Sequence, residues 1–407
     1  MKYVIIGAGA AGLTAAKTLR AKNYLADITI ISEDELIHSR CILHKYISGE
    51  RDEASLSFVP DDFIEANRIN WKKGVKATSI DPLAKNVLCG KEAVQYDKLL
   101  IAGGSIGINI PLPALGEAVN VYGLRNLEDA KAIKKATAYG KQAVVIGAGL
   151  VGLDAAYAML NLNKDVAIVE MANRILSLNL DEKPAERYQR RFEAEGARFY
   201  LGRKVVDVTL DWNRKITHVR LDNGALLPCD FVVSAAGARP AVDFLDGSGI
   251  EIKKAVSVNS HMATNYADIY AAGDITGLSA IWPNAMRQGE VAALNMCGGN
   301  EVYDDTFTAK NTINFFGLVT LSLGSLEPSF GERMEIIEDR KGYKKIVWQG
   351  NYIVGLVMQG DISNSGFWQY LIKNKMPVVN NKKPTHKISY ADYYSMDERG
   401  NYRYTAK

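Results

Sequence analysis

The sequence is poor in the residues that build metal centres and disulfides. Its four cysteines, Cys41, Cys89, Cys229 and Cys297, lie far apart and form no Cys-x-x-Cys motif, and its five histidines are equally scattered. Structural zinc sites and redox-active disulfides rely on closely spaced ligands of these types. We therefore expect neither a metal site nor a structural disulfide.

Long apolar runs and an excess of one charge are also missing. The longest uncharged stretch, LLIAGGSIGINIPLPALG from Leu99, is interrupted by glycine and proline, which favours a strand and a loop over a membrane span. The net charge is only +3, with Lys and Arg dispersed among Asp and Glu, so no nucleic-acid partner is indicated. Met1 leads almost directly into an apolar strand without a cationic leader, so we expect no signal peptide and a cytoplasmic location.

Length and composition indicate a soluble protein of several domains. Hydrophobic residues make up 47% of the chain and charged residues 23%, which is ordinary for globular proteins. A chain of 407 residues exceeds what one hydrophobic core usually serves. We expect two or three domains.

A duplicated glycine-rich motif is the strongest signal in the chain. KYVIIGAGAAGLTAA, near residue 2, and QAVVIGAGLVGLDAA, near residue 142, each place G-x-G-x-x-G between an apolar run and an alanine-rich segment. In a strand–turn–helix context the first glycine permits a tight turn, the second lets the backbone approach a pyrophosphate, and the third lets the helix pack against the strand. The helix N-terminus then faces the phosphates. The sequence predicts two dinucleotide sites, with the glycines Gly7, Gly9 and Gly12, and Gly147, Gly149 and Gly152.

Each predicted unit also ends on an acidic residue. Glu33 closes the second strand in ADITIISED, and Glu170 closes the corresponding strand in KDVAIVEMANR. A carboxylate at this position can accept hydrogen bonds from a ribose diol, whereas an acid at an isolated strand end is usually a surface cap. Because a carboxylate repels a 2′-phosphate, Glu170 favours NADH over NADPH, and Arg174 is near enough in sequence to soften that preference.

A third apolar strand precedes another candidate ligand contact. ADIYAAGDIT ends in Gly273 and Asp274, which together free the backbone to approach a ligand and offer a polyol acceptor. The helix that follows begins at Trp282 with a proline in its first turn, where a missing N–H costs nothing. The start of this helix can face an anion.

Taken together, these segments resemble the FAD-dependent pyridine nucleotide oxidoreductases, in particular the branch of rubredoxin and ferredoxin reductases, NADH oxidases and the flavin part of nitrite reductases. The resemblance covers roughly residues 1 to 376. It implies an α/β fold with two Rossmann-like dinucleotide-binding domains, for FAD and NADH, and a small C-terminal α+β domain and tail. The implied boundaries are 1–114 and 244–299 for the FAD domain, 115–243 for the NADH domain, 300–376 for the β-rich third domain and 377–407 for a tail that docks to a partner or is disordered.

The segment SRCILHKYISGE resembles the S/D-R-P-x-L-S-K pattern of the ferredoxin-reductase relatives. Arg40 and Lys45 are retained, and Lys45 aligns with the lysine beside the flavin. In those relatives the lysine pairs with a glutamate just after the second glycine motif, a position held here by Asp154. The resemblance implies a Lys45–Asp154 pair that balances charge at the reduced flavin, with an ordinary surface pair as the alternative.

Cys41 has two interpretations. It aligns roughly with the single redox cysteine of NADH oxidases and peroxidases, and Arg40 and Lys45 could lower the pKa of its thiol. However, ILHK replaces the glycine and small residues expected after it, and it stands where the electron-transferring relatives have proline. A packing role in the flavin pocket is therefore favoured.

The resemblance implies an FAD-dependent enzyme that takes a hydride from NADH and passes electrons to an iron–sulfur or rubredoxin-type protein. The alternatives are an FAD/NADH subunit of a larger oxidoreductase complex, a thiol-assisted NADH oxidase or peroxidase that uses Cys41, and a flavin-bearing redox sensor. Dimer contacts through the third domain are a further option. The implied catalytic residues are Lys45, Asp154 and Cys41, and the implied cofactor contacts are the six motif glycines with Glu33, Arg40, Glu170, Gly273, Asp274 and Trp282.

Overall fold

The computed structural model describes residues 1–108, 110–304, 310–326, 328–340, 342–378 and 383–404. The chain divides into two compact units. The first comprises Met1–Ala172 and Glu195–Asp304, and the second comprises Asn173–Ala194 and Asp305–Lys407. The segment that follows Glu170 thus groups with the C-terminal residues, and the finer division into FAD, NADH and third domains stays a prediction.

The chain folds into short strands and helices. The strands are β1 (Lys2–Ile6), β2 (Asp27–Ser32), β3 (Ile69–Lys73), β4 (Ser79–Asp81), β5 (Asn86–Cys89), β6 (Glu92–Gln95), β7 (Lys98–Ile101), β8 (Ser105–Gly107), β9 (Val121–Tyr122), β10 (Gln142–Ile146), β11 (Asp165–Glu170), β12 (Arg198–Leu201), β13 (Val205–Leu210), β14 (Ile216–Leu221), β15 (Leu226–Pro228), β16 (Phe231–Ser234), β17 (Ala238–Pro240), β18 (Ile269–Ala271), β19 (Lys310–Phe315), β20 (Leu318–Gly324), β21 (Glu332–Asp339), β22 (Gly342–Gln349), β23 (Tyr352–Gly360), β24 (Tyr394–Met396) and β25 (Tyr402–Tyr404). The helices are α1 (Ala10–Lys22), α2 (Leu43–Ile47), α3 (Phe63–Ala66), α4 (Pro113–Glu117), α5 (Leu127–Tyr139), α6 (Leu150–Asn161), α7 (Glu182–Ala194), α8 (Trp282–Met296) and α9 (Ser365–Lys373).

Two five-stranded parallel sheets with one plan form the centre of the first unit. Their strand orders are β18-β7-β1-β2-β3 and β12-β11-β10-β16-β9. In each sheet the central strand, β1 or β10, precedes a glycine motif and pairs with the strand that leads to the acidic residue. Both central strands are buried apart from their first residue, as continuous apolar runs in parallel sheets usually are.

Small residues let the helices of the first unit approach one another closely. A Cβ atom added at Gly289 of α8 would lie 2.2 Å from the carbonyl oxygen of Ala11 in α1. The two helices can therefore cross at this distance only because position 289 has no side chain. This contact brings the start of α8 beside the first glycine turn.

The second unit is built on the antiparallel sheet β19-β20-β23-β22-β21. Phe367 and Trp368 of α9 are buried in its core. Ile388 and Tyr393, from the segment expected to be a tail, lie in the same core and are only 3% and 4% exposed. The part of this segment around Ile388 and Tyr393 is therefore packed on the second unit.

The second unit also holds α7 and the loop before it. The buried hydroxyl of Tyr188 lies 2.7 Å from the carbonyl oxygen of Leu318 and accepts a hydrogen bond from Thr320 at 2.8 Å. Lys345, only 3% exposed, forms an ion pair with Asp181 at 2.7 Å. Breaking a buried ion pair is costly, so this contact holds the loop against the sheet.

Within the described ranges, no helix has the length and apolarity that crossing a membrane requires. No cluster of three or more His, Cys, Asp or Glu side chains suited to a metal ion occurs in the same ranges. The four cysteines are free thiols.

Candidate functional site

The first glycine turn has the geometry of a phosphate-binding loop. Gly7 adopts φ +106°, and a Cβ atom there would lie 2.2 Å from the carbonyl oxygen of Ala102. A Cβ atom at Gly12 would lie 2.0 Å from the carbonyl oxygen of Gly7. At Gly9, by contrast, it would meet no described atom within 4 Å. The first and third glycines are required by packing, and the second faces a space that a pyrophosphate can fill.

The second turn repeats this geometry. Gly147 also adopts φ +106°, with a Cβ position 2.4 Å from the carbonyl oxygen of Ala235. A Cβ atom at Gly152 would lie 2.0 Å from the oxygen of Gly147, whereas the position at Gly149 is again open among the described atoms. The N-caps of α1 and α6 are Gly9 and Gly149, so no side chain covers the amides of either first turn. Both turns fit an anionic phosphate.

A cleft of about 370 Å³ runs along the first glycine turn. Its walls come from segments that lie far apart in the sequence. The expected site residues that line it are Gly7, Gly9, Glu33, Arg40, Cys41, Gly273, Asp274 and Trp282. The structure thus brings together most of the residues that were assigned to FAD from the sequence, whereas Lys45 and Asp154 are not among the lining residues.

Asp274 is held in the cleft by two partners. Its Oδ2 accepts hydrogen bonds from Ser105 Oγ at 2.8 Å and from Arg125 Nη2 at 2.6 Å. Arg125 Nε also donates to the carbonyl oxygen of Ser105 at 3.0 Å. Arg125 lines the cleft and fixes the predicted polyol acceptor, yet sequence reasoning missed it because nothing in YGLRNLED marks this arginine.

The other predicted cofactor contacts, Glu33, Arg40 and Trp282, also line the cleft. Glu33, at the end of β2, is exposed, and its carboxylate lies 3.4 Å from Lys76 Nζ. Arg40 donates to Asp34 at 2.9 Å. Trp282 contacts the ring of Phe58 edge to face, with a centroid distance of 4.6 Å. Because the Glu33 side chain is exposed, its carboxylate is accessible to a ribose diol.

Glu170 is oriented by the backbone of the second turn. Its Oε2 accepts from the amide of Ala148 at 2.7 Å and its Oε1 accepts from the amide of Ala172 at 2.8 Å. These bonds direct the carboxylate back toward the glycines. Arg174 donates to carbonyl oxygens of its own loop, at Ser177 and Leu180.

The thiol of Cys41 lines the cleft. Burial among surrounding protein atoms raises the pKa of this thiol, and the Asp154 carboxylate raises it further, against a smaller opposing effect of Arg125. A thiol with a raised pKa is a poor nucleophile at neutral pH. The raised pKa favours a lining role for Cys41 over thiol chemistry.

The expected Lys45–Asp154 ion pair is wrong. Lys45 Nζ lies 3.6 Å from Glu50, and Asp154 Oδ1 lies 3.5 Å from His44 Nδ1. His44 precedes Lys45 by one residue on α2, so the two side chains leave the helix in different directions, and it is His44 that faces α6. Burial raises the pKa of Asp154 to about 8. Burial, followed by the charge of Lys45, lowers the pKa of His44 to about 4.

Comparison with known proteins identifies the family of the chain. Residues 1–289 match the family described as pyridine nucleotide-disulphide oxidoreductase, and residues 310–376 match the rubredoxin NAD+ reductase C-terminal domain. The chain is 32% identical over 362 residues to the NADH-dependent phenylglyoxylate dehydrogenase subunit epsilon of Aromatoleum evansii, with 85% of each chain covered. It is 29% identical over 368 residues to the NADH-rubredoxin oxidoreductase of Clostridium acetobutylicum, with 89% of this chain and 92% of the relative covered.

A solved structure extends the likeness to three dimensions. The crystal structure of the NADH:rubredoxin oxidoreductase from Clostridium acetobutylicum superposes with a TM-score of 0.74 at 26% identity, over 94% of this chain and 97% of that one. The predicted fold class, the FAD-dependent oxidoreductase class and the cofactors FAD and NADH are confirmed at the level of the family. The chain belongs to the pyridine nucleotide-disulphide oxidoreductase family.

Proposed function

We propose that this protein accepts a hydride from NADH at a bound FAD and passes the electrons to an iron–sulfur or rubredoxin-type protein. The observation that carries the proposal is the pair of glycine turns with one geometry, only the first of which borders the cleft with the polyol acceptor Asp274. Relatives named for NADH and rubredoxin support the choice of donor and acceptor. When bound, a flavin exchanges electrons with both two-electron and one-electron partners.

In this proposal the first unit of the structure supplies all the FAD contacts. The amides at the start of α1, next to Gly9, bind the pyrophosphate, and Glu33 binds the adenosine ribose. Arg125 holds Asp274 so that its carboxylate meets the ribityl chain. Domain boundaries at 1–114 and 244–299 for FAD and at 115–243 for NADH follow from the same assignment.

The second glycine turn binds NADH in the same way. Gly149 leaves room for the pyrophosphate, and the carboxylate of Glu170 binds the adenosine ribose diol. The two backbone amides that orient Glu170 fix its charge where a 2′-phosphate would lie. NADH is therefore the preferred donor, because NADPH would bring two negative charges together.

A second candidate is the FAD/NADH subunit of a larger dehydrogenase complex. The specific support is the relative named as subunit epsilon, which matches at 32% identity with 85% of each chain covered. The oxidase or peroxidase alternative is weaker because the pKa of the Cys41 thiol is raised.

We also place the protein in the cytoplasm, since four free thiols fit a reducing compartment.

Anaerobic reduction of the purified flavoprotein tests these functions. NADH should bleach the flavin absorbance quickly, and rubredoxin or ferredoxin should restore it faster than oxygen or peroxide does. Gly149→Ala is the matched control, because it should impair reduction by NADH while FAD stays bound. Fast reoxidation by peroxide alone would refute the proposal, and co-purification with other subunits from native extracts would favour the complex.

A further inference from the structure

An acid and a histidine lie side by side behind the wall of the cleft. His44 of α2 and Asp154 of α6 are 3.5 Å apart between Nδ1 and Oδ1, and their side chains are 14% and 28% exposed. The ring of Tyr157, one turn along α6, contacts the imidazole edge to face at 6.3 Å. The pair is therefore held from both helices and shielded from most of the solvent.

The pKa shifts of the two groups place a proton on Asp154 at neutral pH. Burial raises the pKa of Asp154 to about 8 and lowers that of His44 to about 4. Between these values Asp154 is protonated and His44 is neutral, so neither side chain carries a charge. Above pH about 8 the proton leaves and a buried negative charge appears.

Neighbouring charged groups bear on the pair in opposite senses. On the side of α2, Lys45 lowers the pKa of His44 and Glu50 raises it. On the side of the cleft, the thiol of Cys41 is a group whose pKa the Asp154 carboxylate changes. The facing elements also carry Arg125 and Asp274, which act on Cys41, and Lys131 and Lys134 of α5, which contact Glu53, Glu128 and the ring of Tyr46.

Cys41 connects this pair to the cleft. Its thiol lines the cleft, and its pKa is raised by the carboxylate of Asp154 as well as by that of Asp274. The charge of Asp154 therefore changes the electrostatic potential inside the cleft at the position of Cys41. Two carboxylates then act on this wall: Asp274 forms an ion pair with Arg125, and Asp154 lies next to His44.

We propose that the His44–Asp154 pair holds a proton in order to keep this wall of the cleft uncharged while a hydride is accepted there. The inference rests on the proposed function. When the C–H bond of NADH breaks and its electron pair moves with the hydrogen, the bound acceptor gains one negative charge. Below pH about 8 the pair keeps its proton throughout. Above it, Asp154 is ionised beforehand and must take a proton from solvent, or its charge opposes the transfer.

The pH profile of the reductive half-reaction tests this role. In the wild-type holoenzyme, the rate of flavin reduction by saturating NADH should be constant from pH 6 to 7.5 and should fall severalfold by pH 9.5. Asp154→Asn should remove most of this fall, because its amide has the same size and no charge. Asp165→Asn, at an exposed acid paired with Arg198, is the matched control and should keep the wild-type profile.

An infrared measurement gives a readout that is independent of turnover. The oxidised holoenzyme should show the C=O band of a protonated carboxylic acid at pH 7 that disappears above pH 8, is missing in Asp154→Asn and persists in Asp165→Asn. His44→Gln retains the carboxyl group and should shift this band, which keeps the test open if Asp154→Asn does not fold.

The outcomes separate this inference from the proposed function. Absence of the carboxylic acid band in the wild type at pH 7, or identical alkaline profiles in the wild type and Asp154→Asn, would overturn the role of the pair. In either case normal reduction by NADH at pH 7 would leave the proposed function standing. Failure of the wild type to be reduced at pH 7 would instead contradict the proposed function.

Discussion

The second glycine of each turn offers a test that separates ligand binding from folding. An added methyl group at Gly9 or Gly149 meets no described protein atom within 4 Å, and both residues have negative φ values, −85° and −77°, which alanine tolerates. At Gly12 the same methyl group would lie 2.0 Å from the carbonyl oxygen of Gly7. Gly9→Ala should therefore leave the protein fold intact and disturb only the ligand, whereas Gly12→Ala should disturb the fold itself.

The magnitudes follow from contact distances. An amide donates to a phosphate oxygen at about 2.9 Å, whereas a methyl carbon needs about 3.5 Å, so the phosphate must move away from the turn. Losing one charge-assisted hydrogen bond costs about 1.5–3 kcal/mol, which is about 10- to 150-fold in affinity for FAD. The free energy of unfolding of the apoprotein should change by less than about 1 kcal/mol in Gly9→Ala, whereas the overlap in Gly12→Ala should cost about 1–3 kcal/mol.

The assay uses both motifs. Quenching of flavin fluorescence measures the affinity for FAD, and urea denaturation measures the stability of the apoprotein. Gly149→Ala serves as the internal control, since it should bind FAD normally and weaken NADH by a similar factor. Wild-type FAD affinity in Gly9→Ala would refute the placement of the pyrophosphate at this turn.

Three further predictions concern the donor, the thiol and the tail. Glu170→Ala should narrow the preference for NADH over NADPH in kcat/KM, because an acceptor for the ribose and a charge that repels the 2′-phosphate are both lost; equal use of the two by the wild type would contradict this role. Cys41→Ser should keep most NADH-to-acceptor activity, because the raised pKa leaves little thiolate at neutral pH; lost turnover with FAD still bound would make the thiol an electron relay. A chain that ends at Met376 should lose about 3–6 kcal/mol of stability in its second unit, measured by urea denaturation, because burial of Ile388 and of Tyr393 each contributes about 1.5–3 kcal/mol. Unchanged stability would show that this packing is incidental.

The parts of the site that were predictable from the sequence depend on short stretches of chain. Each glycine turn is specified within about one strand and one helix, and its steric requirement is local, since Gly12 collides with the carbonyl of Gly7. Glu33 and Glu170 were predictable for the same reason. Each lies at the end of the strand that pairs in parallel with the strand before the glycine turn. Such patterns predict which residue type stands at a position and explain why it is needed there.

The parts that were missed depend on contacts between distant segments. Arg125 reaches Asp274 only because the end of β9 and the end of β18 meet at the cleft. The choice of His44 over Lys45 as the partner of Asp154 depends on which side of a five-residue helix faces α6. Similarly, the polar composition of the tail hides Ile388 and Tyr393, whose burial requires the completed sheet and α9.

The two glycine turns also limit which positions of the two motifs can differ. Any side chain at Gly7 or Gly147 would run into a neighbouring backbone, so both copies of the turn require glycine there. Positions just beyond the turn are not bound in this way and are free to diverge after a duplication. Thr14 in the first copy occupies the place of Asp154 in the second. A divergence of this kind lets one ancestral nucleotide site give rise to a fixed cofactor site and a site for an exchangeable donor, without a change in the phosphate-binding loop itself.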